Sequence, residues 1–190
     1  MITFGVLIIG LWLIFLTYWL VAAMRVKRSV SGTWWRGALF RVAVAASIIL
    51  LLRGSLREHV WRHGTHAVTI ANPIAASLGV AICALGIGIA IWARKNLGRN
   101  WGMPMSLRDG HELVTTGPYA FVRHPIYSGI LLAVVGTMLV EWFPWIALLA
   151  AIFAYFVYAA KVEERSMTRQ FPDAYPEYVS RTKMLIPFLC

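Results

Sequence analysis

Two charged clusters in this sequence have the residue types needed to hold a small zwitterion. Arg123-His124-Pro125-Ile126-Tyr127 opens an apolar run, with Pro125 suited to the first position of a helix. Free backbone N–H groups and the positive end of the dipole at such a start favour a carboxylate, and Arg123 and His124 add charge-assisted hydrogen bonds. Glu163-Glu164 follows the last apolar run. Adjacent helical residues point about 100° apart, so one carboxylate turns inward and the other faces water. An inward carboxylate at a membrane border needs a partner. Each cluster also has a plain reading, the first as an arginine anchor with a polar cap, the second as a solvated helix end beside Lys161 and Arg165. S-adenosylmethionine carries a carboxylate for the first cluster and an ammonium, a ribose diol and a sulfonium for the second, so the two suit opposite parts of one ligand.

Other constellations carry less chemistry. His59, His63 and His66 have i, i+4, i+7 spacing, but Gly64 interrupts the turn and no carboxylate or cysteine accompanies them, so no metal site is expected. Gly86-Ile87-Gly88 matches part of a dinucleotide fingerprint but lies inside an apolar run with no preceding strand, which points to helix packing. Cys83 sits inside an apolar run and Cys190 is the final residue, which suggests neither a disulfide framework nor a prenylation box. No Walker loop, Ser-His-Asp order or Cys-x-x-Cys is found.

The elements that must position these residues are membrane helices. Of 190 residues, 59% are hydrophobic and 14% charged, far from the roughly 25% charged of a soluble domain. Apolar runs predict about five transmembrane helices near 2–24, 34–52, 73–93, 126–140 and 144–160, in one all-α membrane domain covering 1–190. Residues 2–24 as a helix reach about 35 Å, enough for a hydrocarbon core of roughly 30 Å. Arg25, Lys27 and Arg28 come after that run, so it is not expected to be a cleaved signal peptide. Glu141-Trp142-Phe143-Pro144 breaks the last two spans into a tight hairpin. Seven tryptophans, among them Trp92, Trp101 and Trp145, fall near span ends as an aromatic belt does.

The net charge of +10 reflects basic residues at span ends, which excludes a nucleic-acid reading. Fifteen of the eighteen Lys and Arg residues fall on one side, leaving Arg53, Arg57 and Arg62 on the other. The amino terminus is thereby placed outside and the carboxyl-terminal tail in the cytoplasm, with a bacterial inner membrane as the expected location. The polar loop 94–123 and the tail 161–190 then share the cytoplasmic face and make up about a third of the chain. Gly98, Gly102, Pro104, Gly110, Gly117 and Pro118 interrupt the loop, and Pro172, Pro176 and Pro187 the tail, so these segments pack on helix ends and on each other.

Five pieces in order, Asn96-Leu97-Gly98-Arg99-Asn100-Trp101, Gly110-His111-Glu112-Leu113-Val114-Thr115-Thr116-Gly117-Pro118-Tyr119, Arg123-His124-Pro125-Ile126-Tyr127, Glu163-Glu164 and Leu185-Ile186-Pro187, resemble the isoprenylcysteine carboxyl methyltransferase family. The resemblance covers the chain from the third span onward. It implies a five-helix membrane fold holding S-adenosylmethionine on the cytoplasmic side. Carried over by motif, it implies cofactor contacts from His111, Glu112, Leu113 and Val114 largely through backbone, from Tyr119, His124, Pro125, Ile126 and Tyr127, and from Glu163 directly. Tyr175 and Tyr178 match aromatic positions of the family's tail, where Pro172 and Pro176 are departures. Family members acting on a prenylcysteine carboxylate keep two arginines at positions that here are Ala90 and Ala159.

The reading that follows is a membrane methyltransferase using S-adenosylmethionine on a small lipophilic acceptor, with membrane lipids around it and no nucleic acid. The transfer is an in-line displacement at the sulfonium methyl, which asks chiefly for positioning and desolvation. A phospholipid amine methyltransferase is the runner-up. It needs a base for the ammonium proton, for which His124 and Glu164 are the candidates. A sterol-reductase-like protein binding NADPH and a non-catalytic membrane scaffold are the rival classes, and the first is disfavoured by the length of its known members.

Overall fold

The computed structural model describes residues 2–24, 73–98, 113–141 and 145–187. Among these, five α-helices carry the fold: α1 (Ile2–Met24), α2 (Pro73–Leu97), α3 (Pro125–Glu141), α4 (Trp145–Gln170) and α5 (Ala174–Arg181), with a 3₁₀ turn at Gly117–Ala120 before α3. No strand is present among the described residues, only an isolated parallel bridge between Val122 and Lys183. The expected second span at 34–52 and the outer histidines His59, His63 and His66 lie outside the described residues. Among the described residues, two helices are long and apolar enough to cross a membrane, at Phe4–Ala22 and Pro73–Leu97, and Pro125–Val140 is a shorter apolar helix.

Helices α2 and α3 approach closely because glycines line their contact. A Cβ placed on Gly79 would stand 2.7 Å from the Gly136 carbonyl oxygen, and one on Gly129 would stand 2.7 Å from the Ala90 nitrogen. A Cβ on Gly86 would collide with the backbone of Ala133 and Gly129, whereas Gly88 faces open space. Of the Gly86-Ile87-Gly88 motif, Gly86 is thus a packing residue. Small residues let dispersion and backbone contacts hold helices together where lipid tails are as apolar as the side chains. Helix α1 packs on both, placing Ile8 and Phe15 in a core with Cys83, Ile87, Ala90 and Ala133. Its Trp12 indole donates to the Thr137 hydroxyl at 3.0 Å, and that hydroxyl donates to the Ala133 carbonyl at 2.9 Å. A polar group within an apolar core is costly unless paired, and here the hydroxyl ties α1 to α3, with the Cys83 Sγ of α2 at 3.8 Å.

Two boundaries differ from expectation. The third span was expected to end at Ala93, but α2 runs on to Leu97 and stops at Gly98, whose φ of 52° is the left-handed conformation that ends helices. Arg94 is consequently not a loop residue. It is 5% exposed and donates to the Gly98 carbonyl at 2.9 Å and to the Ala22 carbonyl of α1 at 3.2 Å. The fifth span was expected to end at Ala160, yet α4 continues to Gln170 through Lys161-Val162-Glu163-Glu164-Arg165-Ser166-Met167-Thr168-Arg169, a stretch without Gly or Pro. Pro172 lies just past its end, and Pro176 falls in the first turn of α5, where the missing N–H costs nothing. The carboxylate pair therefore stands on a helix, as its reading as adjacent helical residues assumed, and that helix runs on beyond it.

Candidate active site

Three segments meet where α3 begins. The turn before it places Arg123 and His124, the extension of α4 places Glu163 and Glu164, and the tail after α5 closes over both. The Arg123 and His124 N–H groups donate to the Lys183 and Met184 carbonyls at 2.8 and 3.1 Å, and the Ser128 hydroxyl bonds to the Leu185 carbonyl. Leu185 is buried against Tyr127, Phe156, Ala159 and Ala160. These contacts correct one expectation: the N–H groups of Arg123 and His124 are taken by the tail's main chain, so they do not serve as free donors for a ligand carboxylate.

The side chains correct another. Glu163 and Glu164 do not divide between interior and water, for both reach His124. The Glu163 Oε2 lies 3.4 Å from His124 Nδ1, and the Glu164 Oε1 lies 3.3 Å from His124 Nε2. Glu164 also accepts from the Arg123 Nε at 2.6 Å, with side chains 10% and 19% exposed for Arg123 and Glu164. Arg123 reaches further, donating from Nη1 to the Thr182 carbonyl at 2.5 Å and the Val179 carbonyl at 3.4 Å. Glu163 accepts a 2.7 Å hydrogen bond from the Tyr127 hydroxyl and keeps 26% of its side chain exposed. The helix turn between positions 163 and 164 straddles the imidazole ring, which is why both carboxylates find it.

Electrostatics follow from this enclosure. Burial works against a charged His124, but the hydrogen bonds and charges of Glu163 and Glu164 outweigh it and hold His124 above the ordinary histidine value. Burial would likewise raise Glu164, yet the His124 and Arg123 hydrogen bonds outweigh it and hold Glu164 below the ordinary carboxylate value. Two cations and two anions thus face one another, and the cluster is close to neutral.

Aromatic rings build the remaining walls. His124 stacks on Tyr127 at 5.4 Å and Tyr127 on Phe156 at 4.4 Å, with interplanar angles of 6° and 9°. Such a column favours a cationic imidazole at its head. Tyr119, on the 3₁₀ turn, is buried, and its carbonyl accepts from the Tyr178 hydroxyl at 2.7 Å. Burial, with the charge of Glu163 adding, pushes the Tyr119 phenol far up, while Arg94 opposes the shift. Burial pushes Tyr178 up to about 12. Tyr175 and Tyr178 are both buried and pack against each other at 5.9 Å.

Of the residues singled out in the sequence, Tyr119, Arg123, His124, Pro125, Ile126, Tyr127, Glu163 and Glu164 come together, with Leu113 and Val114 half-buried on the approach to the 3₁₀ turn. His111 and Glu112 lie outside the described residues. Sequence reasoning missed the clamp that seats this approach. Asn96, on the last turn of α2, donates from Nδ2 to the Thr116 carbonyl at 2.7 Å, and Gly117, at φ 62°, lies where any Cβ would strike the Asn96 side chain. Its signal was present, since Asn96 begins the first of the quoted motifs. Thr182 had no such signal.

A family described as phospholipid methyltransferase matches residues 74–174, more than half of the chain, from the start of α2 to the start of α5. The chain belongs to this family. Its relatives include the cobalt-zinc-cadmium resistance protein CzcN of Cupriavidus metallidurans, 31% identical over 152 residues, 78% of this chain and 64% of that protein. The nickel-cobalt-cadmium resistance protein NccN of Alcaligenes xylosoxydans xylosoxydans is 32% identical over 159 residues, 81% of this chain and 65% of that protein. Protein-S-isoprenylcysteine O-methyltransferase B of Arabidopsis thaliana is 30% identical over 138 residues, 70% of this chain and 64% of that protein. The chain thus spans just under two thirds of the length of these three. The isoprenylcysteine methyltransferase likeness read from the motifs is borne out.

Proposed function

We propose that this phospholipid methyltransferase family member transfers a methyl group from S-adenosylmethionine to a small lipophilic acceptor, from a site at the cytoplasmic ends of five membrane spans. The observation that carries this reading is the convergence of Glu163 and Glu164 on His124 under a tail fixed to the start of α3. Relatives named as methyltransferases support the activity, and the apolar helices support the membrane setting.

The residues present fit the cofactor. Glu163, partly exposed and oriented by Tyr127, offers a carboxylate to its cationic groups or ribose diol, and buried Tyr119, on which the Glu163 charge acts, adjoins it. When bound, the cofactor supplies an electrophilic methyl carbon on a sulfonium. The chain contributes orientation and exclusion of water. Tyr127 and the ring column fix the carboxylate, Arg123 and Glu164 lock the tail, and buried Tyr119, Tyr175 and Tyr178 keep the floor dry. Glu164, bound by Arg123 and held ionised, acts as an anchor in this arrangement rather than as a mobile base. Helices α3 and α4 present Ile126, Ile130 and Ile152 beside the ring column, and an acceptor enters along such a surface from the bilayer.

The deciding experiment is incubation of the protein in lipid nanodiscs with a lipid extract and a donor labelled at its methyl carbon, followed by identification of the labelled product. Label in an extracted lipophile, dependent on Glu163, is the expected result. Thermal stabilisation by NADPH and not by S-adenosylmethionine would replace this reading with a reductase.

A further inference from the structure

His124 occupies an unusual position, an imidazole with a carboxylate at each ring nitrogen. The Glu163 Oε2 stands 3.4 Å from Nδ1 and the Glu164 Oε1 3.3 Å from Nε2. Donating to both carboxylates takes a hydrogen on each nitrogen, and the two carboxylates favour that imidazolium form. Among the described residues, Arg123 on its own segment bonds Glu164, Tyr127 on α3 bonds Glu163, Glu163 and Glu164 come from α4, and the charge of Arg94 on α2 acts on Tyr119. Tyr175 of α5 and Tyr119 of the 3₁₀ turn are buried phenols kept neutral by burial. With Arg123 and His124 positive and both glutamates negative, the cluster balances.

Resting on the methyl-donor reading above, we propose that His124 is the residue by which the site distinguishes a cationic donor from its neutral demethylated product, giving up its proton when a ligand cation takes its place beside Glu163. S-adenosylmethionine carries one more positive charge than S-adenosylhomocysteine. Adding that charge to a balanced, poorly hydrated cluster is unfavourable unless one positive charge leaves. Arg123 cannot give up a proton in a protein, and the His124 proton can. The two carboxylates that hold the His124 proton lie beside the place the ligand cation would take, so the cation competes directly with that proton. With the neutral product, His124 keeps its proton and the four-charge balance is restored, so that product and protonated enzyme go together. For an acceptor X–H the stoichiometry then closes: the donor's C–S bond breaks with its electron pair remaining on sulfur, the X–C bond forms, and a neutral His124 is present to take up the proton released from X.

The test counts protons. Calorimetric titrations in buffers of differing ionisation enthalpy give the protons released per ligand bound, for S-adenosylmethionine, for sinefungin, which has a cationic amine in place of the sulfonium methyl, and for S-adenosylhomocysteine. The two sulfur ligands share nucleoside and amino-acid groups, so their difference isolates the sulfonium charge. Close to one more proton is expected for S-adenosylmethionine than for the product near neutral pH, with sinefungin resembling the former. On acidification through the proton-release range, donor affinity should fall by up to about tenfold per pH unit while product affinity stays nearly flat. His124→Gln should abolish the difference, leaving donor binding flat with pH. Equal proton counts for donor and product in the wild-type protein overturn this inference alone, as does a difference that persists in His124→Gln. Absence of binding by all three ligands overturns the cofactor assignment itself, and this inference with it.

Discussion

Tyr127 of α3 donates its phenolic hydrogen to Glu163 of α4 across 2.7 Å, while the same ring stacks between His124 and Phe156. The carboxylate is thereby fixed by a side chain that is itself immobilised on both faces, which is how a ligand-binding group is preorganised.

Glu163→Ala should weaken S-adenosylmethionine binding by roughly 1.5–3 kcal/mol, the worth of a hydrogen bond to a charged group, or at least about tenfold in affinity. Tyr127→Phe keeps the ring column and removes only the hydroxyl, so its loss should be smaller. Calorimetry on both variants, with melting temperature as the check on folding, measures this. Unchanged affinity in Glu163→Ala would leave the pair as a structural feature alone.

Stability should fall on both sides of a mildly acidic optimum. Glu164 is held below its ordinary value of 4.5, so its contribution is present above that value and is lost as pH falls through the lower folded value. His124 is held above its ordinary value of 6.5, so its contribution is complete below 6.5 and is lost as pH rises through the higher folded value. Melting temperatures across this range should show Glu164→Gln flattening the acid limb and His124→Gln the alkaline one.

Gly86→Leu should disrupt the contact of α2 with α3, since even a Cβ meets Ala133 backbone, whereas Gly88→Leu faces open space and should be tolerated. Overpacking a well-filled interface costs about 1–3 kcal/mol or more. Size-exclusion profiles and melting curves of the two variants should diverge accordingly, and equal behaviour would contradict the close helix approach.

Reporter fusions after Cys190 should be active in the cytoplasm and fusions near Arg57 outside, as the Lys and Arg asymmetry requires. A tail reporter active only on the outer side would overturn the orientation.

An acceptor with a neutral reacting group, such as a lipid amine, hydroxyl or thiol, should be methylated better than a prenylcysteine carboxylate. Ala90 and Ala159 are fully buried, and Ala90 packs where Gly129 leaves no room for a longer side chain, so neither position supplies a cation. A carboxylate entering a dry site unpaired carries a penalty of several kcal/mol. Donor consumption with an S-farnesylcysteine analogue beside neutral lipids checks this. Turnover of the farnesylcysteine analogue alone would mean that another cation reaches the acceptor.

The sequence by itself determined the helical character and the membranous nature of the chain, because hydrophobic runs and charge asymmetry act locally and are read without knowing the packing. Ile2–Met24 was delimited from composition alone, Pro125 marked the start of α3, and Gly86 was assigned to packing. The same local signals brought His124, Tyr127 and the glutamate pair into one site, since each sits at the end of an apolar run. Tertiary structure decided what those residues do to one another. Whether the N–H groups at the start of α3 are open depends on a tail sixty residues away in sequence (about sixty by the separation of Arg123 and Lys183), and no periodicity encodes such a contact. Whether α4 stops at the membrane or carries its glutamates onward depends on the partners that receive them, for Lys161 to Gln170 is equally compatible with a solvated tail until Arg123, His124 and Tyr127 stand opposite. The buried Arg94 follows the same rule. A charge beside an apolar run is read as a boundary, and only the neighbouring carbonyls of Ala22 and Gly98 allow it to stay inside.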